Sequence, residues 1–129
     1  QRQMCIETAH YPNVLAWVNG HVHANNITAH HHALDARRSW WEINTASHVD
    51  FPQMARIIEL ADNHDGTVSI FTTLIESNAP YQADYDTTDP DGLASLYREF
   101  GANDIHTRMG RLGTSVDHNT ELLLAHPWA

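Results

Sequence analysis

The sequence predicts an α+β fold weighted towards strands, and three observations predict it. Short runs of β-branched and apolar residues recur, most plainly Thr67-Val68-Ser69-Ile70-Phe71-Thr72-Thr73-Leu74-Ile75. A single stripe at helical spacing, Leu93, Leu96, Tyr97 and Phe100, gives one clear amphipathic helix. No repeat and no linker interrupts the 129 residues, so one domain spanning 1–129 is expected, long enough to bury a core.

The elements are taken in chain order. Residues 4–10 read as the end of a helix that Tyr11-Pro12-Asn13 terminates, because the residue before a proline avoids helical geometry. Residues 14–18, Val-Leu-Ala-Trp-Val, read as a buried strand. Residues 24–39 show no periodicity and contain His30-His31-His32, which predicts a loop. Residues 40–44 form another short strand. Residues 51–61 fit both a helical stripe and strand alternation, and the sequel decides between them. Asn63-His64-Asp65-Gly66 is a turn signal placed before the β-branched run, so a hairpin of 55–61 and 67–75 is expected. A polar loop covers 79–91. Asp91 is expected to cap a helix from Gly92 to about Phe100, which Gly101 ends. The stretch 108–120 is irregular, and 121–124 is a last short strand.

Composition excludes some functions. Sixteen acidic residues against seven basic ones give a net charge of −9, so neither nucleic acid nor an anionic membrane is an expected partner. A phosphorylated small molecule stays open, because a bound metal inverts the local charge. Cys5 is the only cysteine, which rules out an internal disulfide and a thiolate zinc cluster; it is expected to be buried and inert. No apolar run approaches the ~20 residues of a membrane helix, no targeting segment is visible, and the compartment is not specified. The chain opens at Gln1-Arg2-Gln3, in what reads as mid-element, so a piece of something longer is expected.

Eleven histidines stand out, since imidazole is the commonest metal-binding side chain. The informative pair is His21 and His23, placed after the first strand through Asn19-Gly20. On an extended backbone, side chains at i and i+2 leave on the same side, so these two could reach one metal or two adjacent ones. Gly20 is expected to allow a tight turn there.

Asn19-Gly20-His21-Val22-His23 resembles the Gly-His-x-His motif of calcineurin-like metallophosphoesterases. The preceding Pro12-Asn13-Val14-Leu15-Ala16-Trp17-Val18 resembles the strand that carries it. Residues 41–53 and Asp65-Gly66-Thr67-Val68-Ser69-Ile70-Phe71 are similar to the segments downstream of that motif in a bacterial subgroup of phosphohydrolases. The similarity runs from about His10 to Leu124. It implies the C-terminal portion of an αββα sandwich, strand-rich, with a β-hairpin and one or two short helices. It implies a hydrolase of phosphate esters that uses two divalent or trivalent metal ions, Mn, Fe or Zn, to activate a water. His21 and His23 would be metal ligands, each shared with donors from elsewhere.

The family's remaining motifs, Asp-x-His, Gly-Asp and Gly-Asn-His-[Asp/Glu], lie N-terminal to Gly-His-x-His, and only twenty residues precede His21. The expectation is therefore the C-terminal part of a phosphoesterase, inactive alone. Its expected partners are the missing N-terminal half and a phosphorylated small-molecule substrate. A homodimer through the sheet face that the missing half would cover is the other possibility.

Other residues carry open readings. Asn25 either orients an imidazole from behind or is a turn residue. His48 is a candidate to contact substrate phosphate or protonate the leaving group, although a histidine bonded to a backbone carbonyl is the plainer reading. Ser47 is a weaker form of the same candidate. His30-His31-His32 reads as a solvated loop, and Arg37 and Arg38 as surface ion pairs. Asp84, Asp86, Asp89 and Asp91 fail the calcium-loop order, since the sixth and twelfth positions hold Asp89 and Ser95. Trp17, Trp40, Trp41 and Phe71 are expected in the core. The rival functions are a noncatalytic interaction module derived from a phosphoesterase half, and a histidine-rich metal binder.

Overall fold

In a computed structural model, residues 11, 13–106 and 109–128 are described. The expected helix end at 4–10 and Cys5 lie outside them.

Alternation and β-branching build two three-stranded sheets. The first has β1 (Ala16–Asn19), β2 (Asn26–His30) and β3 (Trp40–Asn44) in the order β1-β3-β2. β1 runs parallel to β3 and β2 antiparallel to it. The second sheet is an antiparallel meander of β4 (Met54–Asp62), β5 (Thr67–Glu76) and β6 (Thr120–Ala125). Among the described residues one α-helix, α1 (Pro90–Asn103), comes after β5, and short 3-10 turns occupy Ala36–Arg38, Met109–Leu112 and Ser115–Asp117. The protein is therefore α+β and strand-rich. No helix among the described residues is long and apolar enough to cross a membrane.

The hairpin forms where the turn residues place it, and its strands run one residue beyond the expected limits at Met54, Asp62 and Glu76. Several sequence expectations fail. Residues 24–39 are not all loop, because Asn26–His30 pairs with β3 in register Ile27↔Ile43. The run Asn26-Ile27-Thr28-Ala29-His30 does alternate, but it is only five residues long with a single large apolar side chain, Ile27, so the signal is weak until β3 pairs with it. The helix begins earlier and ends later than expected. Asp89, not Asp91, accepts the Gly92 N–H at 2.8 Å and caps it, with Pro90 in the first turn. Gly101 lies inside the helix. A Cβ there would sit 2.7 Å from the Gln53 side-chain nitrogen, so close packing accounts for the glycine.

The sheets pack through Ile43, which is 0% exposed, against Ile70, Leu122 and Leu124. Burying one such side chain contributes roughly 1.5–3 kcal/mol. Trp41 adds a hydrogen bond from its indole N–H to the Leu123 carbonyl, 3.3 Å across the gap. Trp40 is buried as expected, but Trp17 and Phe71 are 40% and 39% exposed and are not core residues. The interior is also incompletely covered. Val18 shares the inward face with Ile43, and Ile58 and Leu60 share the inward face with Ile70, yet they are 52%, 38% and 60% exposed. All three lie on β1 or β4, the edge strands of their sheets. At the other edge of the first sheet, the Ile27 N–H donates to the Asp117 carboxylate at 2.8 Å.

Candidate functional site

Parallel strands deliver their loops to one end of a sheet. β1 and β3 run together in register from Ala16↔Trp41 to Asn19↔Asn44, so the loops after Asn19 and after Asn44 leave side by side. The carboxyl ends of parallel strands are where open sheets place their ligand sites. Both candidate histidines lie in the first loop, and Ser47 and His48 lie in the second.

The first loop is not extended. The His23 N–H donates to the Gly20 carbonyl at 3.2 Å, closing a turn, and His23 itself has φ 53°. The i, i+2 argument for a shared side therefore does not describe this backbone. Gly20 does not use its freedom either, because an added Cβ would meet Thr45 O at an ordinary 3.5 Å. The left-handed residue is His23, a conformation that is uncommon outside glycine.

His23 reaches across to the second loop. Its Nδ1 lies 2.9 Å from either oxygen of the Asp50 carboxylate. Arg111 donates to the same carboxylate at 2.6 Å from the turn Met109–Leu112. Burial works to raise the Asp50 pKa, but hydrogen bonds from His23, Arg111 and Ser47 outweigh it and hold the carboxyl below its ordinary range. His21 is exposed on the turn, and no side-chain hydrogen bond ties its ring to the described residues.

Asn25 lies beneath this cluster and is 2% exposed. Its amide oxygen accepts the Ala46 N–H at 3.1 Å and an Arg56 N–H at 3.3 Å. Its amide nitrogen donates to Leu112 O and Met54 Sδ, both at 3.3 Å, and its backbone N–H donates to Arg111 O at 2.9 Å. The side chain thus ties both loops to the tail and leaves no hydrogen bond aimed at either imidazole.

Ser47 closes a local turn, its Oγ accepting the Val49 N–H at 3.0 Å. His48 is exposed, and its carbonyl accepts a hydrogen bond from the Tyr97 hydroxyl at 3.0 Å. Its side chain borders a cavity of about 380 Å³ with Gln53, Glu76, Tyr97 and Arg98. His30 is not simply solvated: its Nε2 lies 3.0 Å from the buried Glu42, and its ring stacks on Trp40 at 3.9 Å. Arg37 makes the surface pair expected of it, with Asp35. Asp84 and Asp89 serve turns and the helix cap.

For a metal, the relevant donor is His23. A carboxylate only accepts, so with Asp50 at Nδ1 the neutral ring keeps Nε2 as its lone-pair donor, the arrangement common behind metal-ligating histidines. Among the described residues no three His, Cys, Asp or Glu side chains converge to complete a coordination shell. The residues that sequence reasoning missed are Asp50 and Arg111, which are distant from His23 along the chain and carry no local pattern. Compared with protein-family models, curated proteins and solved structures, the chain matches none.

Proposed function

We propose that this chain is the C-terminal part of a metal-dependent phosphoesterase and supplies two of its histidine ligands, His21 and His23. One observation carries the reading. The loops at the carboxyl ends of two parallel strands meet through His23 and Asp50, at the place where such sheets hold ligands. The Gly-His-x-His resemblance supports it. So do the exposed inward residues Val18, Ile58 and Leu60, which suit a sheet and sandwich continued by an N-terminal half.

In that assembly His23 would hold one ion through Nε2, and His21, exposed on the same turn, would be the second histidine ligand. When bound, a pair of Mn, Fe or Zn ions supplies an activated water and screens charge developing on the phosphate. His48, exposed on the neighbouring loop, contacts the phosphate of a small-molecule ester or gives a proton to the leaving group. Ser47 keeps that loop folded through its turn.

The test uses the complete protein, loaded with Mn²⁺ or Zn²⁺ and offered a panel of phosphomonoesters and diesters. Hydrolysis that His21→Ala and His23→Ala each abolish, with folding retained, is the expected result. Absence of hydrolysis, with no acidic and histidine ligands in the upstream sequence, overturns it in favour of a scaffold.

A further inference from the structure

We infer that Asp50, braced by Arg111, is a positioning residue that holds His23 in the Nδ1–H tautomer and aims Nε2 outward as the donor. This rests on the metallophosphoesterase reading for its purpose, but not for its geometry.

A free neutral imidazole carries its proton on either nitrogen, and a partner decides which. His23 Nδ1 hydrogen-bonds the Asp50 Oδ2 at 2.9 Å, with Oδ1 equally near. A carboxylate offers only lone pairs, so the proton must reside on Nδ1. Asp50 cannot turn away, because Arg111 grips it at 2.6 Å, shorter than most N–H···O bonds. Arg111 in turn is fixed through its backbone, since its carbonyl accepts the Asn25 N–H at 2.9 Å. Asn25 lies two residues beyond His23, so the brace returns to the loop that carries the imidazole. The ring is pinned from both ends of one closed circuit. His23 also sits at φ 53°, in the left-handed region.

The circuit adds a charged connection between the two loops and the turn Met109–Leu112, beside the one that Asn25 makes. A merely structural salt bridge between Asp50 and Arg111 does not need the imidazole. Here the imidazole, on a side chain 38% exposed, hydrogen-bonds Oδ2, the same oxygen that Arg111 takes. Immobilising a ligand ring and fixing its proton is what raises metal affinity, and loss of such a partner costs about 10- to 100-fold.

The tautomer is read directly from ¹H–¹⁵N correlation spectra of the chain with labelled histidine, at a pH where imidazole is neutral. Wild-type His23 is expected to show a protonated Nδ1 and a pyridine-like Nε2. Asp50→Ala should move the proton to Nε2, and Arg111→Gln, which keeps the carboxylate but removes its brace, should give a mixture. A wild-type ring already protonated on Nε2, or one that Asp50→Ala leaves unchanged, overturns the inference. In the complete protein, Asp50→Ala should weaken Zn²⁺ or Mn²⁺ binding about 10- to 100-fold. Equal affinity in both also overturns it. A tautomer that responds as expected, in a complete protein that binds neither ion, keeps the inference and removes the phosphoesterase reading instead.

Discussion

The amide oxygen of Asn25 accepts the backbone N–H of Ala46 at 3.1 Å, which locks the loop after β1 to the loop after β3. The same side chain serves Arg56, Leu112 and Met54. Asn25→Ala removes them all at once and strands buried donors and acceptors. A loss of about 3 kcal/mol is expected from urea unfolding, at the upper end of ordinary single substitutions.

Gly113 and Gly66 both have positive φ, 77° and 90°, but only one is crowded. A Cβ at Gly113 would lie 2.5 Å from the Asn25 carbonyl oxygen, whereas Gly66 faces open space. Gly66→Ala should cost roughly 1 kcal/mol from backbone strain alone. Gly113→Ala should cost clearly more and lower the melting temperature further, and equal melting temperatures would refute the clash.

Asp117 predicts an acid sensitivity. Burial works to raise its pKa, but bonds from the Thr114 hydroxyl and N–H and from the Ile27 N–H leave it below the ordinary 3.8. A depressed folded pKa stabilises the protein above the unfolded value, and that contribution drains away as pH falls through the folded one. Stability should therefore decline below about pH 4 partly through this group. Asp117→Asn should be less stable at neutral pH and show a flatter decline in acid, measured by unfolding at stepped pH.

The exposed inward residues predict association of the isolated chain. Val18, Ile58 and Leu60 offer apolar surface along β1 and β4. Light scattering should find more than the 14.6 kDa of one chain, and Leu60→Lys with Val18→Lys should shift it towards a monomer. A well-behaved monomer without those changes counts against both the open flank and the proposed N-terminal half.

How far the sequence could be read depends on where each signal lives. The hairpin and β3 were legible because their β-branched and aromatic runs, and the Asn63-His64-Asp65-Gly66 turn, act locally. β2 was not, since its alternation spans only five residues with one large apolar side chain, and pairing with β3 decides its conformation. Gly101 misled for a similar reason: Gln53, far along the chain, sets its role. At the candidate site His21, His23 and His48 stood out by type and spacing. Asp50 and Arg111 did not, because the partners of an imidazole are chosen by loop packing that no window of sequence contains.

The carboxylate on the Ile27 N–H makes the first sheet one-sided. β2 has an outward donor plugged by Asp117, while β1 has no second strand beside it among the described residues. Within this sheet, strand addition is then easier past β1 than past β2. Two copies meeting there would consume each other's open margin and stop, so a closed pair is allowed and a runaway fibre is discouraged.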